Sequence, residues 1–185
     1  MRGCVVALAE QHREQPGGKI QIIDICSRKQ RRVTRSTFAA ELQLLVDSVE
    51  TGKILCYALA EILATEPLAA TALTRMEETG SFPLQLEACI DAKSVYDALA
   101  LAETRAPTEV SLIMVLLGLK EMLHSGCLTA LWWISTEDML ADGLNKGCVS
   151  RRALLDATAT GQWLLQHPLA VHRELSRVHI PARLG

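Results

Sequence analysis

The apolar positions change period several times along the chain, and each change marks an element. Gly3 to Leu8 and Lys19 to Cys26 read as two short strands. The second carries Ile20, Ile22, Ile23 and Ile25, β-branched side chains that suit a pleated surface. Glu10 to Gly18 joins them, and Pro16-Gly17-Gly18 makes the join a hairpin-type connection, longer than the tight two-residue kind. From Ser36 or Thr37 the period lengthens. Phe38, Leu42, Leu45 and Val49 follow a 4-3-4 spacing and form one helical stripe. A second helical stretch carries Leu55, Leu59, Ile62 and Leu63 up to a break at Pro67. A third runs from Ala69 to Glu78 and stops at Gly80.

Beyond Gly80 strands and helices alternate. Leu84 to Ile90 reads as a strand that ends at Asp91. Val95, Leu99 and Ala102 mark a helix closed by Pro107, and a more apolar helix spans Glu109 to His124, stopped by Gly126. Leu128 to Ile134 is a further strand. Ser135 then reads as a helix cap, with Asp138 three residues on as the carboxylate of a capping-box-like pair. A last helix is expected from Ser150 to Gln166. The order β-β-α-α-α-β-α-α-β-α-α predicts an α/β fold with a mixed sheet. One domain is expected over 1–166, followed by a mixed tail over 167–185 with Arg173, Arg177 and Arg183.

Composition narrows the classes. Apolar residues at 49% and charged residues at 22% exclude a wholly disordered chain. The longest apolar run, Leu112 to Leu119, falls well short of the roughly 20 residues of a membrane span, so no membrane partner is expected. The apolar run at the N-terminus is too short for a signal peptide. The six cysteines show no Cys-x-x-Cys spacing, which argues against a zinc knuckle and for reduced thiols in an intracellular compartment, cytoplasm or nucleus. With a formal charge of −2, nucleic-acid binding requires a local basic patch. One exists: Arg28, Lys29, Arg31, Arg32 and Arg35, with no acid between Ile25 and Ala40. It reads either as a phosphate contact or as a solvated turn. Trp132, Trp133 and Trp163 read as core and strand residues. No nucleophile triad and no phosphate-cradling glycine loop is present.

Three acids stand where pattern alone does not expect them. Glu41 flanks the Phe38–Leu45 stripe, Asp91 ends an apolar strand, and Asp142 follows Met139-Leu140-Ala141 at a helix start. In open α/β folds strand ends and helix starts converge on one edge. Carboxylates gathered there repel one another unless cations neutralise them, and oxygen-only ligands suit Mg²⁺ or Mn²⁺. Each acid also has an ordinary reading: Glu41 on a slightly rotated surface, Asp91 as an N-cap, Asp142 at the positive end of its helix.

At these residues a resemblance enters. Ser27-Arg28-Lys29-Gln30, then Val33, then Ser36-Thr37-Phe38-Ala39-Ala40-Glu41, resembles the ribonuclease H domain of copia-type retrotransposon polyproteins. Asp91 with Ser94 looks like that family's second block. Trp133 to Lys146, which contains Ala141-Asp142-Gly143-Leu144-Asn145-Lys146, is similar to its third, which ends in Ala-Asp-x-Leu-Thr-Lys. The resemblance covers roughly residues 3 to 147. It implies a ribonuclease H-like mixed sheet flanked by helices and metal-dependent hydrolysis of the RNA strand of an RNA–DNA hybrid, with two Mg²⁺ (or Mn²⁺) ions. Glu41, Asp91 and Asp142 match three of the family's four carboxylates and would be both catalytic residues and metal ligands. Arg28, Lys29, Arg31, Arg32 and Arg35 would contact the hybrid, which is read through its backbone and 2′-hydroxyls. A reverse transcriptase domain of the same polyprotein is the partner implied upstream.

The departures are specific. Asn145 stands where the family has Thr, Ala92 where it often has Asn, and the family's Lys-His-Ile-Asp block has no counterpart. The first, central strand and its Asp have none either, which leads us to expect an N-terminally truncated, inactive domain. Two other readings predict different behaviour: a non-catalytic retroelement remnant, and an unrelated α/β interaction domain in which the carboxylates are caps and surface charges.

Overall fold

A computed structural model describes residues 2–10, 16–28, 36–100, 110–145 and 151–166. Strands β1 (Arg2–Ala9) and β2 (Gly18–Arg28) form the expected antiparallel hairpin, in register from Arg2 opposite Arg28 to Ala9 opposite Ile20. The register shifts between Val6 and Ala7, where Asp24 and Ile22 are the partners and Ile23 is the extra residue. The chain then enters α1 (Thr37–Leu63), capped as its sequence predicts: the Ser36 hydroxyl accepts from the Ala39 N–H at 3.1 Å.

Helix α1 is one element, where two stretches were expected. Its buried face runs through Leu42, Leu45 and Val49 and continues through Gly52, Lys53, Cys56 and Ala60. Of the large residues assigned to a second stripe, Leu55 and Leu59 are half-buried, while Ile62 and Leu63 are exposed, at 74% and 64%. The small residues are buried because the helix passes close to its neighbour. A Cβ on Gly52 would sit 2.6 Å from Leu86 Cδ1.

Helix α2 (Ala70–Thr79) follows and ends at Gly80 in the left-handed region, φ 62°. A Cβ there would lie 2.5 Å from the Gly126 carbonyl carbon. Gly80→Ala is therefore expected to destabilise the fold by about 1–3 kcal/mol, read as a lowered urea midpoint at unchanged slope.

The second sheet is β3 (Glu87–Ile90) paired in parallel with β4 (Ala130–Trp133). Helices α3 (Lys93–Ala100) and α4 (Val110–Ser125) lie between them in sequence. Strand β4 is buried on both faces. Leu131 packs into the main core with Leu42, Leu45, Val49, Val95, Leu99 and Leu119, while Ala130, Trp132 and Ile134 face Cys89, Met139 and Trp163. A third cluster joins Ile20 of the hairpin to Leu140 and Ala157.

After β4 the structure departs from expectation. Residues 135–141 form successive turns rather than a helix, and Ser135 Oγ accepts from the Glu137 N–H at 3.3 Å. Asp138 is buried, and its carboxylate accepts from the Gln166 N–H at 3.0 Å instead of completing a capping box. A short α5 (Asp142–Asn145) follows, then α6 (Arg152–Thr160). Helix α6 ends at Gly161 in the left-handed region, ahead of the expected Gln166. The chain turns there to add β5 (Gln162–Trp163) to β2. The α/β class is thus realised as two small sheets, β1-β2-β5 antiparallel and β3-β4 parallel, with helices around them.

One polar cluster sits apart from these cores. Lys53, almost fully buried, pairs with Glu77 and with Glu50 at 3.2 Å, and the Tyr57 hydroxyl donates to Glu77 at 2.7 Å. Burial pushes the Lys53 ammonium down, but its hydrogen bonds to Glu77 and Glu50 more than offset that and leave its pKa raised. Burial and the bond to Glu77 push Tyr57 up to about 12. A raised pKa contributes stability that is complete below the unfolded value and is lost as pH climbs through the folded one. Stability is thus expected to decline above the ordinary tyrosine value of 10, through about 12. Chemical denaturation across that range should show a shallower decline in Tyr57→Phe.

Candidate functional site

Asp91 is the residue just after β3, and the segment around the end of β4 holds it on several sides. The Ile134 N–H donates to the Ile90 carbonyl at 2.9 Å and the Trp133 indole N–H to the Asp91 carbonyl at 3.0 Å. The Thr136 hydroxyl donates to Asp91 Oδ2 at 3.1 Å. The Ala92 carbonyl accepts from the Tyr96 N–H, so Ala92 rather than Asp91 holds the cap position of α3. Lys93 lies over the Trp133 ring, 5.7 Å from its centre.

Glu41 lies on α1, just past the Ser36 cap and between buried Ala39 and Leu45, half-buried as its place beside the stripe predicts. Asp142 opens α5 and is also half-buried, its N–H donating to the Met139 carbonyl at 3.3 Å. A strand end, a long helix and the turn after β4 thus supply one acid each.

All three line one cleft of about 620 Å³. Two further acids, Glu10 and Glu87, line it as well, and no Lys, Arg or His is among its described lining residues. The Trp132 indole N–H donates to Glu87 Oε2 at 2.8 Å and fixes that carboxylate at the start of β3. Such a lining favours cations and repels bare phosphate unless a cation intervenes. The donors are oxygens, the type a hard divalent ion takes. Among the described residues, however, no three His, Cys, Asp or Glu side chains converge closely enough to hold one metal ion. The donor chemistry fits; the spacing within this cleft does not form a closed ligand set.

Cys4 and Cys89 also line the cleft. Burial pushes both thiols up, away from the thiolate form that a nucleophile uses. The basic stretch cannot be placed against the cleft. Arg28 ends β2, but its side chain and Lys29, Arg31, Arg32 and Arg35 lie outside the described residues.

Sequence reasoning did not find the partners of Asp138. Besides accepting from Gln166, this residue takes the Trp163 indole N–H on its main-chain carbonyl at 3.0 Å. Both partners lie more than 20 residues away in the chain, and no local pattern announces them.

Comparisons with known protein families, characterised proteins and solved structures return no match. Among the described residues no helix is long and apolar enough to cross a membrane.

Proposed function

We propose that this chain is a ribonuclease H-like domain of retroelement origin that acts on the RNA strand of RNA–DNA hybrids. One observation carries the reading: Glu41, Asp91 and Asp142, singled out from sequence blocks far apart, line the same acidic cleft. The sequence resemblance supplies the chemistry. Mg²⁺ (or Mn²⁺), when bound, would supply an activated water and neutralise the phosphodiester charge. The resemblance assigns Glu41, Asp91 and Asp142 to it, and in this structure they share the cleft without forming a closed ligand set. The role of the protein around them is positional. The hydrogen bonds from Thr136 and Trp133 restrain Asp91 at the mouth of the strand, and the Ser36-capped helix carries Glu41 on a rigid backbone. In the same reading Arg28, Lys29, Arg31, Arg32 and Arg35 hold the hybrid by its phosphates, and a reverse transcriptase domain of the same polyprotein is the associated partner.

The test is incubation of the chain with a hybrid labelled on its RNA strand, in Mg²⁺ or Mn²⁺. Hybrid bound but uncut is the result expected of a domain without the first-strand Asp, and it selects the non-catalytic remnant. Shortened RNA with intact DNA, stopped by a chelator, would mean that the acids of this cleft suffice for cleavage. Neither binding nor cutting overturns the nucleic-acid reading in favour of an α/β interaction domain.

A further inference from the structure

The hairpin carries a pair of thiols that the nuclease reading does not use. Cys4 on β1 stands directly opposite Cys26 on β2, two positions from Val6 and the register shift. Directly opposite residues of an antiparallel pair project to the same face, with Cα atoms about 4.5 or 5.5 Å apart. Both separations fall inside the roughly 4.4–6.8 Å that a disulfide spans. Cys26 and Asp24 are close enough to Cys4 to raise its thiol, and a side-chain hydrogen bond joins Cys4 to Ser48, so the pair faces α1. Both thiols are free and half-buried, whereas Cys56 and Cys127 are buried. A cysteine that only fills space as a small apolar side chain has no need of a second one across the ladder.

Thiol–disulfide exchange with a small disulfide such as oxidised glutathione balances at this pair. Cys26 attacks one sulfur of the reagent and expels one glutathione thiolate, leaving a mixed disulfide. Cys4 then attacks the Cys26 sulfur and expels the second glutathione. Two protein thiols are oxidised to one S–S bond, the reagent is reduced to two thiols, and the two protein protons pass to them. Burial holds the Cys4 thiol up, so its part is the second, intramolecular attack, where proximity offsets a small thiolate fraction. The bond ties β1 to β2 across the end of the hairpin remote from Pro16-Gly17-Gly18 and closes the hairpin into a loop. Cys26 lies two residues before Arg28, so the same bond fixes the point from which the basic stretch departs.

We propose that Cys4 and Cys26 form a redox-active dithiol, a modification site that a low-molecular-weight disulfide converts to a cross-strand bridge. The bridge locks the hairpin in its native register. This inference rests on the pairing of β1 with β2 and not on the carboxylates, and it holds whether or not the chain cleaves RNA.

The test equilibrates the intact, reduced chain with oxidised and reduced glutathione at graded ratios, traps free thiols by alkylation and maps the peptides by mass spectrometry. Expected is one link within the chain, Cys4 to Cys26, with the loss of two hydrogens and no glutathione retained on either residue. The link should form at least about tenfold more favourably in the folded chain than in the same chain unfolded in urea. By linkage the bridged chain then unfolds at a higher urea midpoint than the reduced chain. Cys4→Ser and Cys26→Ser should each keep one glutathione on the remaining cysteine of the pair and show no such rise. Glutathione retained on both cysteines of the unsubstituted chain overturns the proposal, as does a link formed no more favourably in the folded state. A Cys26 link between two chains, or links to Cys56, Cys89, Cys127 or Cys148 in place of the Cys4–Cys26 bond, overturns it too.

Discussion

Trp132→Ala is expected to cost about 3–5 kcal/mol, much of the roughly 5–15 kcal/mol by which a domain of this kind is stable. Trp132 is the largest of the fully buried side chains, only 1% exposed. It stands on β4 between Ala130 and Ile134, where it fills the space against Cys89, Met139 and Trp163. Truncation leaves a cavity that the paired strands cannot collapse into, because β4 is tied to β3 along its length. It also removes the indole donor from Glu87, a lesser loss because that carboxylate is exposed to water. Urea unfolding followed by far-ultraviolet circular dichroism measures the effect. Leu155→Ala, at a 62% exposed position of α6, is the comparison and should shift the midpoint by no more than about 0.5 kcal/mol equivalent. Equal shifts in the two variants would mean that β4 is not the centre of the core.

On the nuclease reading, Asp91→Asn and Asp142→Asn are each expected to lower any cation-dependent cleavage of the hybrid at least about a hundredfold. The amide keeps the shape of the side chain and one oxygen acceptor but loses the negative charge that a cation requires. At position 91 that remaining oxygen can still take the Thr136 hydroxyl, so the fold should hold. Asp97→Asn is the comparison. Asp97 lies nearby in sequence on α3 but pairs with Lys93 at the surface, at 2.7 Å. Its loss should leave the rate unchanged. Cleavage by Asp91→Asn at the parent rate would remove Asp91 from the site, whatever the chain's other properties.

Local chemistry made much of the architecture legible. Ser36 announced the start of α1, Gly80 the end of α2, and the β-branched run at Ile20–Ile25 announced β2. These features depend on residues a few positions apart, which is the range over which caps, left-handed glycines and strand preferences act. The course of α1 was not legible in the same way. Leu55, Leu59, Ile62 and Leu63 carry the stronger apolar signal, yet the buried line runs through Gly52, Cys56 and Ala60. Close approach to Leu86 selects small residues there, and that approach is a property of the packed molecule.

The site divides along the same line. Glu41, Asp91 and Asp142 were singled out by local pattern alone, from a stripe, a strand end and a helix start. That they share a cleft, that Ala92 and not Asp91 caps α3, and that Asp138 turns inward to Gln166 came from contacts across the fold. They also decided that β5 exists, since a two-residue ladder has too little local pattern to be read. Periodicity and capping are written between near neighbours. Which residues come to line one cleft depends on contacts between residues tens of positions apart, where a single chain carries no period to read.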